Sequence, residues 1–217
     1  MKNNVREQLI HTMFTSLYYE GYNACNLNDL LQRAGSSKGG LYHYFGSKKE
    51  LALEAIQSIL SVFNEQFWAL GLERNRDPII ALEELLKELP QTSFLPNVPF
   101  EFKYGSPLNN LIHELSATDE AFLELLSSLL YSWRESLCNA FERAIKAKIV
   151  RDDVDIQQLA DFIIASIEGS LSIAKARRDE NAYHTNVSAL ITYLNTLRVL
   201  KKTTAPKKQP VHQSLFE

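Results

Sequence analysis

Glycine, proline and cysteine are scarce in this 217-residue chain, at eight, seven and two residues. With so few helix breakers, long helices can run without interruption and the breakers serve mainly as punctuation. Cys25 and Cys138 lie far apart and have no ligand spacing, so they read as free thiols in a reducing cytosol. No apolar run approaches the ~20 residues that cross a bilayer. Met1–Arg6 leads directly into an amphipathic pattern, with no apolar signal-peptide core. There is no glycine-rich phosphate loop, no His/Cys/Asp cluster at metal spacing and no nucleophile elbow. The expectation is a cytoplasmic protein that is not an enzyme, with no catalytic residue, cofactor or metal ligand to nominate.

What is present is ordinary for a globular chain: 45% hydrophobic and 23% charged residues, in a length ample for a real core. The net charge of −3 is unevenly spread. Residues 1–55 carry +1, residues 56–200 carry −7, and residues 201–217 carry +3. A mildly basic front on an acidic body suits a protein that meets phosphate at one end.

Periodicity divides the chain into helices. Residues 3–20 place Val5, Leu9, Ile10, Met13, Phe14 and Leu17 on one stripe, closed by Gly21. Asn26 reads as the cap of a helix over 27–34, which Gly35 ends. A serine-capped helix runs from Ser36 or Ser37 to Phe45-Gly46, and Ser47 with Glu50 forms a capping box for the next. Two short helices joined by a tight glycine turn, behind a longer supporting helix, form a helix-turn-helix pattern, although core helical hairpins share that spacing. The third helix adds chemistry. It offers Ser36, Ser37, Lys38, Tyr42 and His43 while Leu41 and Phe45, four apart, face the core. Gly39 and Gly40 each cost roughly 1 kcal/mol in a helix, a cost that suits close approach of backbone to a sugar-phosphate chain. Tyr42 and Lys48 suit phosphate, and His43 suits a base edge.

The run Asn26–Leu51, above all Ser37-Lys38-Gly39-Gly40-Leu41-Tyr42-His43-Tyr44-Phe45-Gly46-Ser47-Lys48-Lys49-Glu50-Leu51, resembles the DNA-binding domain of TetR/AcrR-family transcriptional regulators. The resemblance covers about residues 5–53. It implies DNA contacts from Ser37, Lys38, Gly39, Gly40, Tyr42 and His43, and phosphate contacts from Lys48 and Asn26. Gly40 stands where many members carry a small hydroxyl residue, which shifts the reading of bases towards His43.

A long helix then runs from Lys48 to about Leu72, linking this head to the rest, and another spans 78–89. Residues 90–107 hold four of the seven prolines together with Phe94, Phe100, Phe102 and Tyr104. That stretch reads either as a surface connector whose aromatics plug the core or as a lid over a pocket. Helices follow at 108–115, 119–148, 155–178 and 182–200, and residues 201–217 form a disordered basic tail. Tyr104–Ser116, Ile167–Leu171 and Lys175–Asp179 are similar to the C-terminal domain of one TetR branch, in which the position of Ser106 is often cysteine.

The fold expected is therefore all-α with about nine helices: a helix-turn-helix domain over residues 1–50 and a larger effector-binding and dimerisation domain over 51–200. The resemblance implies a homodimer through the last two helices, with Ile163, Ser166, Ile167, Ser170, Leu190 and Leu194 at the interface. Pocket candidates are Phe63, Phe67, Phe102, Tyr104, His113, Tyr131, Trp133 and Phe162, although Tyr131, Trp133 and His113 also read as core or surface residues. The implied partners are a double-stranded DNA operator and a small-molecule effector, with no membrane. A DNA-bound scaffold that recruits a protein without any effector is the alternative. An enclosed cavity with a few polar groups favours the first reading and a solid core the second.

Overall fold

The computed structural model describes residues 2–199; the basic tail expected at 201–217 lies outside them. The helices are α1 (Lys2–Tyr19), α2 (Leu27–Arg33), α3 (Lys38–Tyr44), α4 (Lys48–Phe63), α5 (Leu70–Glu73), α6 (Pro78–Glu88), α7 (Pro107–Leu115), α8 (Glu120–Lys146), α9 (Ile156–Arg177) and α10 (Glu180–Asn195). A π turn over Asn64–Ala69 joins α4 to α5. Counting that rod as one helix gives nine among the described residues, and none is long and apolar enough to cross a membrane.

Side-chain caps set the boundaries. Asn26, Ser37, Ser47, Asp77, Ser106, Asp119, Asp155 and Asp179 each accept a backbone N–H of the helix they open. Each cap satisfies a donor that the first turn leaves unpaired. Glu50 departs slightly from the capping-box pattern, since its Oε2 accepts from Gly46 N at 2.8 Å.

Two features differ from the expected pattern. The linking helix is broken by the π turn, which widens the spiral and moves Phe67 and Trp68 off the α-helical register. The proline-rich stretch contains a hairpin, β1 (Ser93–Leu95) and β2 (Val98–Pro99), paired antiparallel. Pro96-Asn97 makes its turn, proline presetting the backbone and asparagine tolerating the bend.

α8 is the spine. Phe122, Leu126 and Leu129 on its first half pack with the buried faces of α1–α4 and α7. Trp133, Leu137 and Phe141 on its second half pack with α6, α9 and α10. The head's core reaches along α4 to Leu60 and takes in Leu108, Leu111 and Leu115 of α7.

Candidate functional site

The outer face of the head is built by α2 and α3. Leu41 and Phe45 are buried and anchor α3 against the stripe of α1. With those two inward, helical geometry turns Lys38, Gly39, Tyr42 and His43 outward. Tyr42 is 57% exposed, and Ser37, Lys38, Gly39 and His43 are exposed beside it. Ser37 Oγ accepts from Gly40 N at 3.1 Å, so Ser37, and not Ser36, is the cap. Asn26 is exposed, and its Oδ1 accepts from Asn28 N at 2.8 Å. The His43 ring packs edge-on against Tyr44 at 4.7 Å. Lys48 is already engaged: its Nζ donates to Tyr22 O at 2.7 Å and lies 4.3 Å from the centre of the Tyr22 ring.

The head is tied to the body through a few polar contacts. Glu114 of α7 accepts from Tyr22 N at 3.0 Å and from Asn23 N at 2.7 Å, clamping the loop between α1 and α2. Gly21, at φ +84°, makes room for that carboxylate, which would lie 2.9 Å from an added Cβ. Tyr18 OH accepts from Glu101 N at 2.8 Å, and Lys49 pairs with Asp119 at 2.7 Å.

A small, partly open cavity of about 40 Å³ lies between α4, the π turn, the hairpin, α7, α8 and α9. Phe63, Trp68, Phe94, Phe100 and Trp133 supply aromatic walls. The Trp68 and Trp133 rings stack at 4.5 Å. The polar lining is Asn64, Ser106, Glu168 and the indole of Trp133. Asn64 Nδ2 donates to Leu129 O at 2.9 Å, fixing the π turn to α8. Ser106 Oγ donates to Glu168 Oε1 at 3.0 Å while capping α7. Glu168 Oε2 and Trp133 Nε1 are buried without a partner. Burial pushes the Glu168 carboxyl up to about 7, against the smaller pull of the Ser106 hydroxyl. Glu168 is the one ionisable side chain lining the cavity.

Comparison with known proteins decides the family. The model for bacterial regulatory proteins of the tetR family matches residues 15–55, and the model for the tetracyclin repressor-like C-terminal domain matches residues 96–190. Head and body are thus matched separately, by domains that belong together. The chain belongs to the TetR family. Among its relatives is an uncharacterized HTH-type transcriptional regulator in the lacX 3′ region of Lactococcus lactis subsp. lactis, 29% identical over 87% of this chain and 92% of that one. YxaF of Bacillus subtilis strain 168, also an uncharacterized HTH-type transcriptional regulator, is 26% identical over 82% of this chain and 89% of its own. A TetR transcriptional regulator of Chloroflexus aurantiacus superposes with a TM-score of 0.79 at 26% identity, over 91% of this chain and 97% of that one. The protein is a TetR-family DNA-binding transcriptional regulator, and the relatives named are regulators rather than enzymes.

Within this TetR-family body, the pocket candidates scatter. Phe63 and Trp133 line the cavity, and Phe67 stacks on Phe63 from the outer side at 5.0 Å. The other five do not line it. Phe102 packs against Phe100 and Tyr183, and Tyr104 against Tyr18 and Tyr19 at the seam with the head. His113 is exposed on α7, while its neighbour Glu114 holds the head. Tyr131 is 67% exposed along an open cleft between α8 and α9, and Phe162 lies on the surface against Tyr193. The hairpin joins the two readings of its stretch, since Phe94 and Phe100 both fill the core and wall the cavity.

The interface candidates lie mostly on the inner faces of α9 and α10. Ile163, Ile167, Ser170, Leu190 and Leu194 are buried inside the protomer, where α9 packs on α10 and α8, and half-buried Ser166 donates to Phe162 O. The nominations missed Glu168, Ser106, Asn64 and Trp68. Glu168 carried a usable signal: a charge four residues after Ile164 and three before Leu171, on an otherwise apolar face. Cys25 and Cys138 are buried, and burial raises both thiols, which keeps them protonated at neutral pH.

Proposed function

We propose that this regulator is a homodimeric repressor that holds a near-palindromic operator through α3 and releases it when a small molecule occupies the cavity. The aromatic-walled cavity at the π turn carries this reading. It holds unsatisfied polar atoms, and one of its walls is the rod that begins in the head at Lys48. A scaffold working only by recruiting a protein has no use for such a space. Repacking of the π turn around a ligand would turn α4 and displace the head, and the ligand acts to the extent that it binds the displaced state more tightly.

Lys38, Tyr42 and His43 form the reading row, with Ser37, Gly39, Gly40 and Asn26 close to the backbone. Lys48 joins them only by leaving Tyr22. In the dimer, α3 of each copy enters a major groove about one helical turn, ~34 Å, from its twin or somewhat more.

Electrophoretic mobility shifts on the DNA upstream of the protein's own gene test the reading. The wild type is expected to bind. Lys38→Ala and Tyr42→Ala are each expected to weaken binding by about tenfold, the lysine change also flattening the salt dependence. Wild-type binding that both variants retain in full would remove α3 from the interface.

A further inference from the structure

We propose that the cavity takes a small organic cation, a protonated amine that donates to Glu168 Oε2 and carries an oxygen that accepts from Trp133 Nε1. This deepens the effector reading and rests on it only for the consequence at DNA.

Among the described residues, Glu168 Oε2 and Trp133 Nε1 are the buried side-chain polar atoms left without partners, and both belong to residues lining the same cavity. An unpaired buried polar atom is costly, so two in one place mark where a partner belongs. They are of opposite sense. The indole is only a donor, and Glu168 has one oxygen served by Ser106 and one free. A fitting ligand therefore presents a donor to one and an acceptor to the other. At about 40 Å³ the cavity has room for roughly three waters at ~10–15 Å³ each, or for one ligand of a few heavy atoms that carries both groups.

Charge narrows the class. Arg134, which borders the neighbouring open cleft with Glu168, is paired with Asp161 at 2.6 Å, and Lys175, further along α9, donates to Asn110 at 2.9 Å. The carboxylate has no counter-charge in its own chain. Around it stand five aromatic side chains, Phe63, Trp68, Phe94, Phe100 and Trp133, and aromatic faces attract cations. An ammonium group supplies the missing donor and the missing charge together.

The chain's only two tryptophans, Trp68 and Trp133, both wall the cavity, so intrinsic fluorescence of the full-length protein reports on it directly. The probes are ethylamine, ethanol and formate, small enough for the cavity, alike in size and differing in charge, each titrated by fluorescence and by melting temperature. Ethylamine is expected to bind about tenfold or more tighter than the alcohol, as a charge-assisted hydrogen bond implies. Glu168→Gln should bring the two within about twofold. The oxygen is tested by 2-aminoethanol against propylamine: the amino alcohol should bind tighter to the wild type and lose that advantage in Trp133→Phe. The proposal is overturned if ethanol or formate binds as tightly as the amine, if Glu168→Gln keeps the preference, or if no probe changes fluorescence or melting. If ethylamine binds through Glu168 and leaves the operator shift unchanged, the ligand class stands and release by ligand fails.

Discussion

At the scale of single residues, Glu168 is the most consequential side chain that periodicity alone passes over. A helix face reading Ile163, Ile164, Ile167 and Leu171 was legible as buried, but which atoms surround the one carboxylate on it depends on α7 and α8 folding over it. Its proton links the cavity to stability. The carboxyl titrates near 4.5 when unfolded and is raised to about 7 when folded, by burial. Between those values the folded protein holds a proton that the unfolded chain has lost, so stability falls as pH rises across the window and changes no further above it. Ser106 donates to the group, and the charged side chains beside it, Arg134 and Asp161, border the open cleft on its other side and are paired with each other. Glu168→Gln should remove on the order of 3 kcal/mol of that loss. Melting curves should show the variant well above the wild type at pH 8 and the two converging near pH 5; a constant offset at all pH values would show that Glu168 titrates normally. Gly40 carries a smaller lesson at this scale. An added Cβ there meets Ser36 Oγ at 2.5 Å, whereas at Gly39 the nearest atom is 3.7 Å away. The Ser36 hydroxyl can rotate aside, so packing within the protein requires glycine at neither position.

At the scale of elements, the caps made the helices legible, because the signal for a helix start lies within four residues of sequence. The π turn and the hairpin were not legible. The first depends on Asn64 reaching Leu129 O across 65 positions, and the second on Phe94 finding Phe14, Tyr18 and Phe63. The clamp from α7 to the head has the same non-local character. His113 was nominated for the pocket, but it is the neighbouring Glu114 that acts, since a carboxylate this close to two backbone N–H groups serves as an anchor. Glu114→Ala leaves the N–H of Tyr22 and Asn23 without their acceptor, at a cost of roughly 1–3 kcal/mol because one of them is half-buried. Hydrogen exchange at those two amides should accelerate, melting should fall by several degrees, and operator affinity should weaken as the head loosens. Unchanged exchange at Tyr22 and Asn23 would show that the loop is held by the Lys48–Tyr22 contact alone.

At the scale of the whole molecule, the family pattern made the two-part architecture legible, while the face left free for a second copy was not. α9 has two faces of similar composition: one carries Ile163, Ile167, Ser170 and Leu171, the other Phe162, Ala165, Gly169, Ile173 and Ala176. Periodicity ranks both as able to pack and cannot say which one the protomer uses. The first is buried against the protomer's own helices, leaving the second exposed next to Tyr193 of α10, whose ring meets Phe162 edge-on at 5.3 Å. A Cβ added at Gly169 meets nothing within 4 Å, so the middle of this row offers a flat, open surface for another helix. Phe162, Ile173 and Tyr193 are 48%, 39% and 45% exposed, which places large apolar side chains in water along one line. Such a row fits an isologous contact in which each copy covers the same residues of its twin. A charge in its centre should break that contact without touching the core. Gly169→Glu, with Ile173→Glu as an independent variant, should shift sedimentation from dimer to monomer at micromolar concentration while leaving helix content intact. Each monomer then holds a single half-site, so operator affinity should fall by at least about a hundredfold, the typical loss when linked binding becomes independent. A dimer that survives both changes would place the interface on another face, the open cleft beside Tyr131 being the next to test.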